Sequence, residues 1–367
     1  MSAVDLALEL VRLDTVNPPG NEQIAADLLG SRLKAAGFEI TRHELAPGRP
    51  NMIARLAGTD PERPVLCMTG HLDTVPLGGA PWSAEPFGEL RDGRLHGRGS
   101  SDMKSGVAAI VVAAERVAAL GRGEAGLELV LTAAEETGCA GAIQLAGAGV
   151  LGRAGAVLVA EPTGGVPHVA HKGVVFVKAT TEGVSAHGSA PHLGRNAIYP
   201  LARAVTALAE LTFDVPTHPV LGDPTINVGT IGGGTSINVV PDRAEAQIDV
   251  RTVPGLTGEA VLERLHAAAG PDVVLEPWID LAPVVTDPDD PWVRSLVELA
   301  GGPEEPRGLT YFTDAAALVP AYGGPPTVIW GPGEAAQAHQ TDEWAEAAKI
   351  DAAADGFFEV ARRWCGV

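Results

Sequence analysis

The chain has 367 residues, enough for two domains rather than one small core. Hydrophobic residues make up 46% and charged residues 20%, the composition of an ordinary globular protein, and no apolar run is long enough to span a bilayer. The formal net charge of -20 argues against nucleic acid and against a membrane surface as partners, because like charges repel.

The opening stretch MSAVDLALELVRLDT lacks a basic n-region and carries acids inside its apolar run. It reads as an amphipathic helix and not as a signal peptide, so a cytoplasmic location is expected. Residues 22–36 predict a helix with Asn21 as its N-cap. PVLCM at 64–68 reads as a buried strand that runs into TGHLDTVP. Residues 104–120 predict a long apolar helix, and LELVLTA at 127–133 a strand ending in AEETG. AVLVAEPTG at 156–164 is a further strand, stopped by Pro162. This alternation points to the α/β class. Cys67, Cys139 and Cys365 lie far apart and form no CxxC, so they read as reduced, buried thiols.

The pattern changes after residue 172. VVFVKATTEG predicts a strand, NAIYPLARAVTALAEL a helix, and PTINVGTIGGGT and INVVPDRAEAQIDVRT two strands. TGEAVLERLHAAAG follows as a helix and DVVLEPWI as a strand. That order, β-α-β-β-α-β, is the split βαβ arrangement. The expected organisation is a first domain from 1–171 and 283–367, interrupted by an inserted domain over 172–282.

Ligands in open α/β sheets bind just beyond the carboxyl ends of strands. His71 and Asp73 follow the first such strand, Glu135 and Glu136 the second, and Glu161 the third. Asp102 sits in GRGSSDMKSG before the long helix, and His339 in GPGEAAQAHQTDEW near the C-terminus. Taken singly each is commonplace: an EE pair is usually solvated surface. As a set they suit a metal centre, since imidazole nitrogen and carboxylate oxygen both fit zinc. Two divalent ions would have their charge matched by Asp102, Glu136, Glu161 and a bound hydroxide, with Asp102 able to bridge. Ions about 3.5–4 Å apart act together on a carbonyl and on water. Asp73, two residues from His71, can accept the proton of the other ring nitrogen and fix its tautomer. Neighbouring side chains on a strand diverge, so one of Glu135 and Glu136 can bind metal while the other serves as general base. No G-x-S-x-G is present, which disfavours a serine hydrolase.

TGHLDTVP, GRGSSDMKSG, AEETG, AEPTG and QAHQTDEW resemble, in order, the motifs of the zinc-dependent aminoacylase, acetylornithine deacetylase, succinyl-diaminopimelate desuccinylase and glutamate carboxypeptidase family. The likeness covers nearly the whole chain. It implies a mixed-sheet zinc-peptidase-like catalytic domain with an inserted ferredoxin-like dimerisation domain. It implies two Zn2+ per subunit, replaceable by Co2+, with His71 and Glu161 on one ion, Glu136 and His339 on the other, and Asp102 between. Glu135 would be the general base and Asp73 would orient His71. A cis bond at Asp102–Met103 is also implied. GVSAHGSAPHLGRNAI resembles the dimer-domain motif, which marks His187 as a residue that reaches the partner's active site. GGGTSINVVPDRAEAQIDVRTVPG marks Asn238 and Arg251 for a substrate carboxylate, where a planar guanidinium fork suits. YFTDAAAL, with Thr313, is a looser match to a substrate loop. The implied substrate is an N-acyl amino acid, as in the acetylornithine deacetylases, with a desuccinylase, a dipeptidase or carboxypeptidase, and a non-catalytic binding protein as competing readings. The implied assembly is a homodimer.

Overall fold

The computed structural model describes residues 2–302 and 305–367. These fall into two compact units. The first holds the chain up to Ala170, Val285–Arg307 and Thr313–Val367; the second holds His171–Val284 and Gly308–Phe312. The short stretch 308–312, assigned from sequence to the first domain, groups with the second unit.

The first unit is built on a six-stranded mixed sheet. Its order is Glu39–Ala46, Arg49–Leu56, Leu127–Thr132, Val65–His71, Ala154–Val159 and Thr327–Ile329. The last four run parallel, and the first two form an antiparallel hairpin at the edge. Leu127–Thr132 is buried along its whole length, which accounts for its unbroken apolar run apart from Glu128. The helix Ser105–Ala119 covers the sheet and packs against Ala3–Val11 and Ala347–Cys365. Its Val-Ala face is small, which lets the backbones approach closely. Each fully buried Val or Leu there is worth about 1.5–3 kcal/mol over exposure.

The register puts the strand ends level. His71 pairs with Thr132, and Thr69 with Val159. Parallel strands aligned in this way release their following loops at one edge. Ala154–Val159 stops two residues short of Glu161, earlier than Pro162 would require.

The second unit is a four-stranded antiparallel sheet in the order Thr225–Gly233, Arg243–Thr252, Gly173–Glu182, Val274–Leu281. The helices Ile198–Ala209 and Gly258–Ala269 lie on one face. Arg243–Thr252 alternates in burial, with Ala244, Ala246, Ile248 and Val250 in the core. The chain order is the β-α-β-β-α-β expected. The strand expected over 237–252 begins only at Arg243, because Pro241 cannot donate to a ladder.

One local expectation fails. Asn21 does not cap the helix Gln23–Ala35; its side chain lies at 3.5 Å from the Asp14 carbonyl. Glu22 instead turns inward, as described below. At the N-terminus Ser2 and Asp5 form a capping box for Ala3–Val11.

Gly106 gives a test of how tightly the long helix is seated. A Cβ there would lie 2.0 Å from the Ala160 carbonyl oxygen, immediately before Glu161. Helix propensity alone makes Gly→Ala favourable by about 1 kcal/mol, whereas overpacking costs about 1–3 kcal/mol. Gly106→Ala should therefore lower the thermal midpoint. A midpoint equal to or above that of the unaltered protein would show that the helix is not held against the strand end.

Candidate metal centre

The loops beyond the parallel strands gather the acids and histidines. The His71 Nε2 lies 3.1 Å from Asp102 Oδ1 and 3.9 Å from Glu161 Oε1. The His339 Nε2 lies 3.0 Å from Glu136 Oε2 and 3.5 Å from Asp102 Oδ2. The two oxygens of Asp102 thus face two different histidines. One ligand atom each from His71, Asp102 and Glu136 falls within 4.8 Å of the others. All five expected ligands, with Glu135, belong to the first unit.

Backbone geometry sets these positions. The Asp102–Met103 bond is cis, as the resemblance implies. Ala134 and His339 have φ of 59° and 63°. Such left-handed conformations cost non-glycine residues about 1–3 kcal/mol and concentrate at functional sites. Glu135 and Glu136 lie beyond the end of the strand at Thr132, in a turn. Their separation therefore comes from that turn and not from strand alternation, a correction to the sequence argument.

Asp73 also differs in detail from expectation. The His71 Nδ1 donates to the Asp73 backbone carbonyl at 3.0 Å, while the Asp73 carboxylate stands 3.6 Å away. That carboxylate accepts from Asn17 Nδ2 at 2.8 Å and from the backbone N–H groups of Glu135 and Glu136 at 3.1 and 3.2 Å. It ties the first strand end to the second. The ring is still fixed, mainly through the carbonyl.

The residues fit a cation centre. If Nδ1 of His71 carries the proton given to the Asp73 carbonyl, the Nε2 lone pair faces a carboxylate oxygen, a repulsive arrangement unless a cation intervenes or the ring is protonated. Glu136 Oε1 and Asp314 Oδ1 are buried with no hydrogen-bond partner. Burial raises Glu135, with the charges of Glu161, Asp314 and Glu136 adding to it against the pull of His71. Burial and the charge of Asp102 raise Glu161 and Glu136. Burial works against protonation of His71, yet its bonds to Asp102 and Asp73 hold its pKa well above the usual value. Hydrogen bonds to Asp102 and Glu136 push His339 up to about 10.

Four buried acids, Glu22, Glu128, Asp314 and Glu343, have no role assigned from sequence. Glu22 accepts Arg49 through both oxygens, at 2.6 Å from Nη2 and 3.0 Å from Nε, and the Ala134 N–H at 3.3 Å. Asp314, next to Thr313, accepts from the Thr132 hydroxyl and is 2% exposed. Glu343 accepts from Arg98 and from the loop that carries Asp102. The only sequence signal for Asp314 and Glu343 was their place inside quoted motifs; Glu22 had none.

Thr313 is fully buried, and its hydroxyl accepts from the Ala315 N–H. In the second unit His187 is exposed, with Nδ1 2.7 Å from Ser189 Oγ. Asn238 lies beside it, since its carbonyl accepts from the Gly188 N–H at 2.7 Å, and its side chain accepts from Ser236 at 2.5 Å. Arg251 is engaged by Asp249 through both arms of its fork, at 2.7 and 2.9 Å, and lies over the rings of Phe312 and Phe176.

Residues 67–363 match the profile of peptidase family M20/M25/M40. The chain is 33% identical over 353 residues to an acetylornithine deacetylase from Myxococcus xanthus, covering 92% of this chain and 90% of that one. It is 28% identical over 384 residues to a probable succinyl-diaminopimelate desuccinylase from Staphylococcus epidermidis, covering 93% and 92%. In fold it is similar to an M20 family metallo-carboxypeptidase from Sulfolobus solfataricus, with a TM-score of 0.81, 20% identity, and 100% and 99% of the two chains covered. The chain is a metal-dependent amidohydrolase and belongs to peptidase family M20/M25/M40.

Proposed function

We propose that the protein removes the acyl group from an N-acyl amino acid, as a deacetylase of the acetylornithine deacetylase kind, with two Zn2+ held per subunit and Co2+ able to replace them. The observation that carries this reading is Asp102, whose two oxygens face His71 and His339 in a buried cluster of acids. His71 and Glu161 would hold one ion, Glu136 and His339 the other, and Asp102 both. Such a pair supplies Lewis acidity to the carbonyl and acidity to water.

The chain's own residues would do the rest. Glu135 would take a proton from the attacking water as its oxygen bonds to the acyl carbon. It would return that proton to the nitrogen as the C–N bond breaks, leaving a free acid and an amine. Its neighbour Cys139, 3.7 Å from Glu135 Oε1, limits where that carboxylate can turn. His187, in the inserted domain, would stabilise charge on the carbonyl oxygen across a homodimer. In support of a dimer, Thr225–Gly233 is an edge strand bonded on one side only, and Ile231, Ile237 and Tyr199 in this unit are 57%, 103% and 64% exposed. Arg251 would meet the substrate carboxylate through Nη1, the one guanidinium nitrogen that does not bond Asp249. A cytoplasmic location accords with the absence, among the described residues, of a helix long and apolar enough to cross a membrane.

Protein stripped with a chelator should lose activity and regain it with zinc or cobalt. The substrates to use are N-acetylornithine, N-succinyl-diaminopimelate, a dipeptide set and the methyl esters of each. Preferred cleavage of acetylated free acids is expected. Preference for the succinyl compound or for dipeptides would move the assignment to the desuccinylase or peptidase reading, and full activity in verified metal-free protein would sink all three. Equal turnover of esters and acids would remove Arg251 from carboxylate recognition.

Glu135→Gln should keep the full complement of metal while kcat falls by about 10²–10⁴, the usual contribution of a general base. Loss of one ion per chain in that variant would make Glu135 a ligand instead.

The shared site is tested by mixing. His187→Ala and Glu135→Gln should each be nearly inactive, but a mixed dimer has one site with both residues intact. After random exchange about a quarter of all sites should recover, given a closed two-fold interface. No recovery after demonstrated exchange would confine His187 to its own chain.

A further inference from the structure

The loop that carries Asp102 is folded around a carboxylate from the C-terminal part of the chain. Glu343 is fully buried. Its Oε2 accepts from Arg98 Nη1 at 2.6 Å and from the Gly99 N–H at 3.0 Å. Its Oε1 accepts from the N–H groups of Ser101 at 2.8 Å and Asp102 at 3.0 Å. Gly99 has φ of 80°, which bends the loop so that these backbone donors converge. Converging N–H groups make an anion-binding concavity, here filled by the protein's own side chain. Only a carboxylate suits it. An amide offers one acceptor atom and would set its NH2 against backbone N–H groups.

Glu343 also links this loop to His339, four residues earlier in the same segment. The Gly97 N–H donates to the Glu343 carbonyl at 2.9 Å, and Trp344 pairs with His96 across a short ladder. The neighbouring Asp342 accepts from the Ser83 N–H at 2.6 Å. Glu343 thus joins the segment that bears Asp102 to the one that bears His339, beside the Trp344–His96 pairing.

We propose that Glu343 is a positioning residue: by holding the Gly99–Asp102 backbone it keeps the Asp102 carboxylate between His71 and His339, so that two cations can be bound together. This rests on the metal-pair reading above. The test measures zinc binding to chelator-stripped protein by competition with a chromogenic chelator, with the absorption spectrum of added Co2+ as a second readout. The unaltered protein should take two ions. Glu343→Gln should bind the first ion with nearly unchanged affinity and the second about 10–100-fold more weakly, the range seen when the groups supporting a ligand are lost. Its Co2+ spectrum should change for the second ion only. Glu343→Asp, which keeps the charge on a shorter arm, should lie between the two and decides the matter if the Gln variant does not fold. Unchanged affinity for both ions in a folded variant would overturn the assignment, as would equal weakening of both. An unaltered protein that never takes a second ion would instead refute the metal pair itself.

Discussion

The arrangement on which the rest depends is a carboxylate placed between two imidazoles, one buried (His71) and one open to solvent (His339), among several acids. Glu135, Glu161 and Asp314 are buried and Asp102 nearly so, and all four act on His71. Burying one unpaired carboxylate costs several kcal/mol. Two imidazoles cannot balance so many acids, even fully protonated. A fold that places these groups together is stable as a pocket only with cations or protons among them. Burial and neighbouring acids raise Glu135 and Glu161, and hydrogen bonds to Asp102 and Glu136 raise His339; all three shifts follow from that single constraint.

The scaffold meets this constraint with backbone N–H groups. Asp73 receives two from the Glu135–Glu136 turn, Glu22 receives one from Ala134, and Glu343 receives three from the Gly99–Asp102 loop. Each of these acids lies behind the cluster and ties one loop to another. Charge-assisted bonds of this kind are about twice as strong as neutral ones. They also limit how far the facing carboxylates can relax away from each other. Lys104 adds a buried ammonium that donates to the Leu13 carbonyl, with burial lowering it to about 8. The result is a set of acids held in place from behind, with their free oxygens turned toward one another.

Much of this was legible in the sequence because it depends on position relative to strand ends. A buried strand that stops at HLD, EE or EP delivers its acid to the sheet edge whatever lies on its other face. The split βαβ order was legible for a similar reason, since Ala244, Ala246, Ile248 and Val250 alternate cleanly with polar residues. Groups whose role depends on distant partners were not legible. Glu22 stands where a helix cap would be expected, and only the nearness of Arg49 and Ala134 turns it inward. The bond that the Thr313 hydroxyl accepts from the Ala315 N–H has no sequence signature either. Asp73 was read through its side chain, whereas the contact to His71 at 3.0 Å uses its carbonyl, and a backbone carbonyl carries no sequence signature.

The division between chemistry and recognition follows from the same physics. The acids behind the cluster are over-determined: Asp73, Glu22 and Glu343 are each held by several donors whose loss leaves a buried charge, so few substitutions there are tolerable. The residues marked for substrate binding in the second unit are held by local partners instead. Arg251 is paired with Asp249 two residues away, Asn238 with Ser236, and His187 with Ser189. Each such pair spans two positions of one segment, so it can change without disturbing the core of Val175, Ile248 and Val261 beneath. Arg251 shows the consequence. With both arms of its fork on Asp249 and its face over Phe312, it is oriented by its own unit before any ligand arrives. In the proposed role, a substrate carboxylate would meet an arginine already half neutralised, which would weaken simple charge attraction and favour a ligand whose shape and second polar group match the Asp249–Arg251 pair. Selection among acyl amino acids would then be settled by these local pairs, while the amide chemistry stays with the sheet edge.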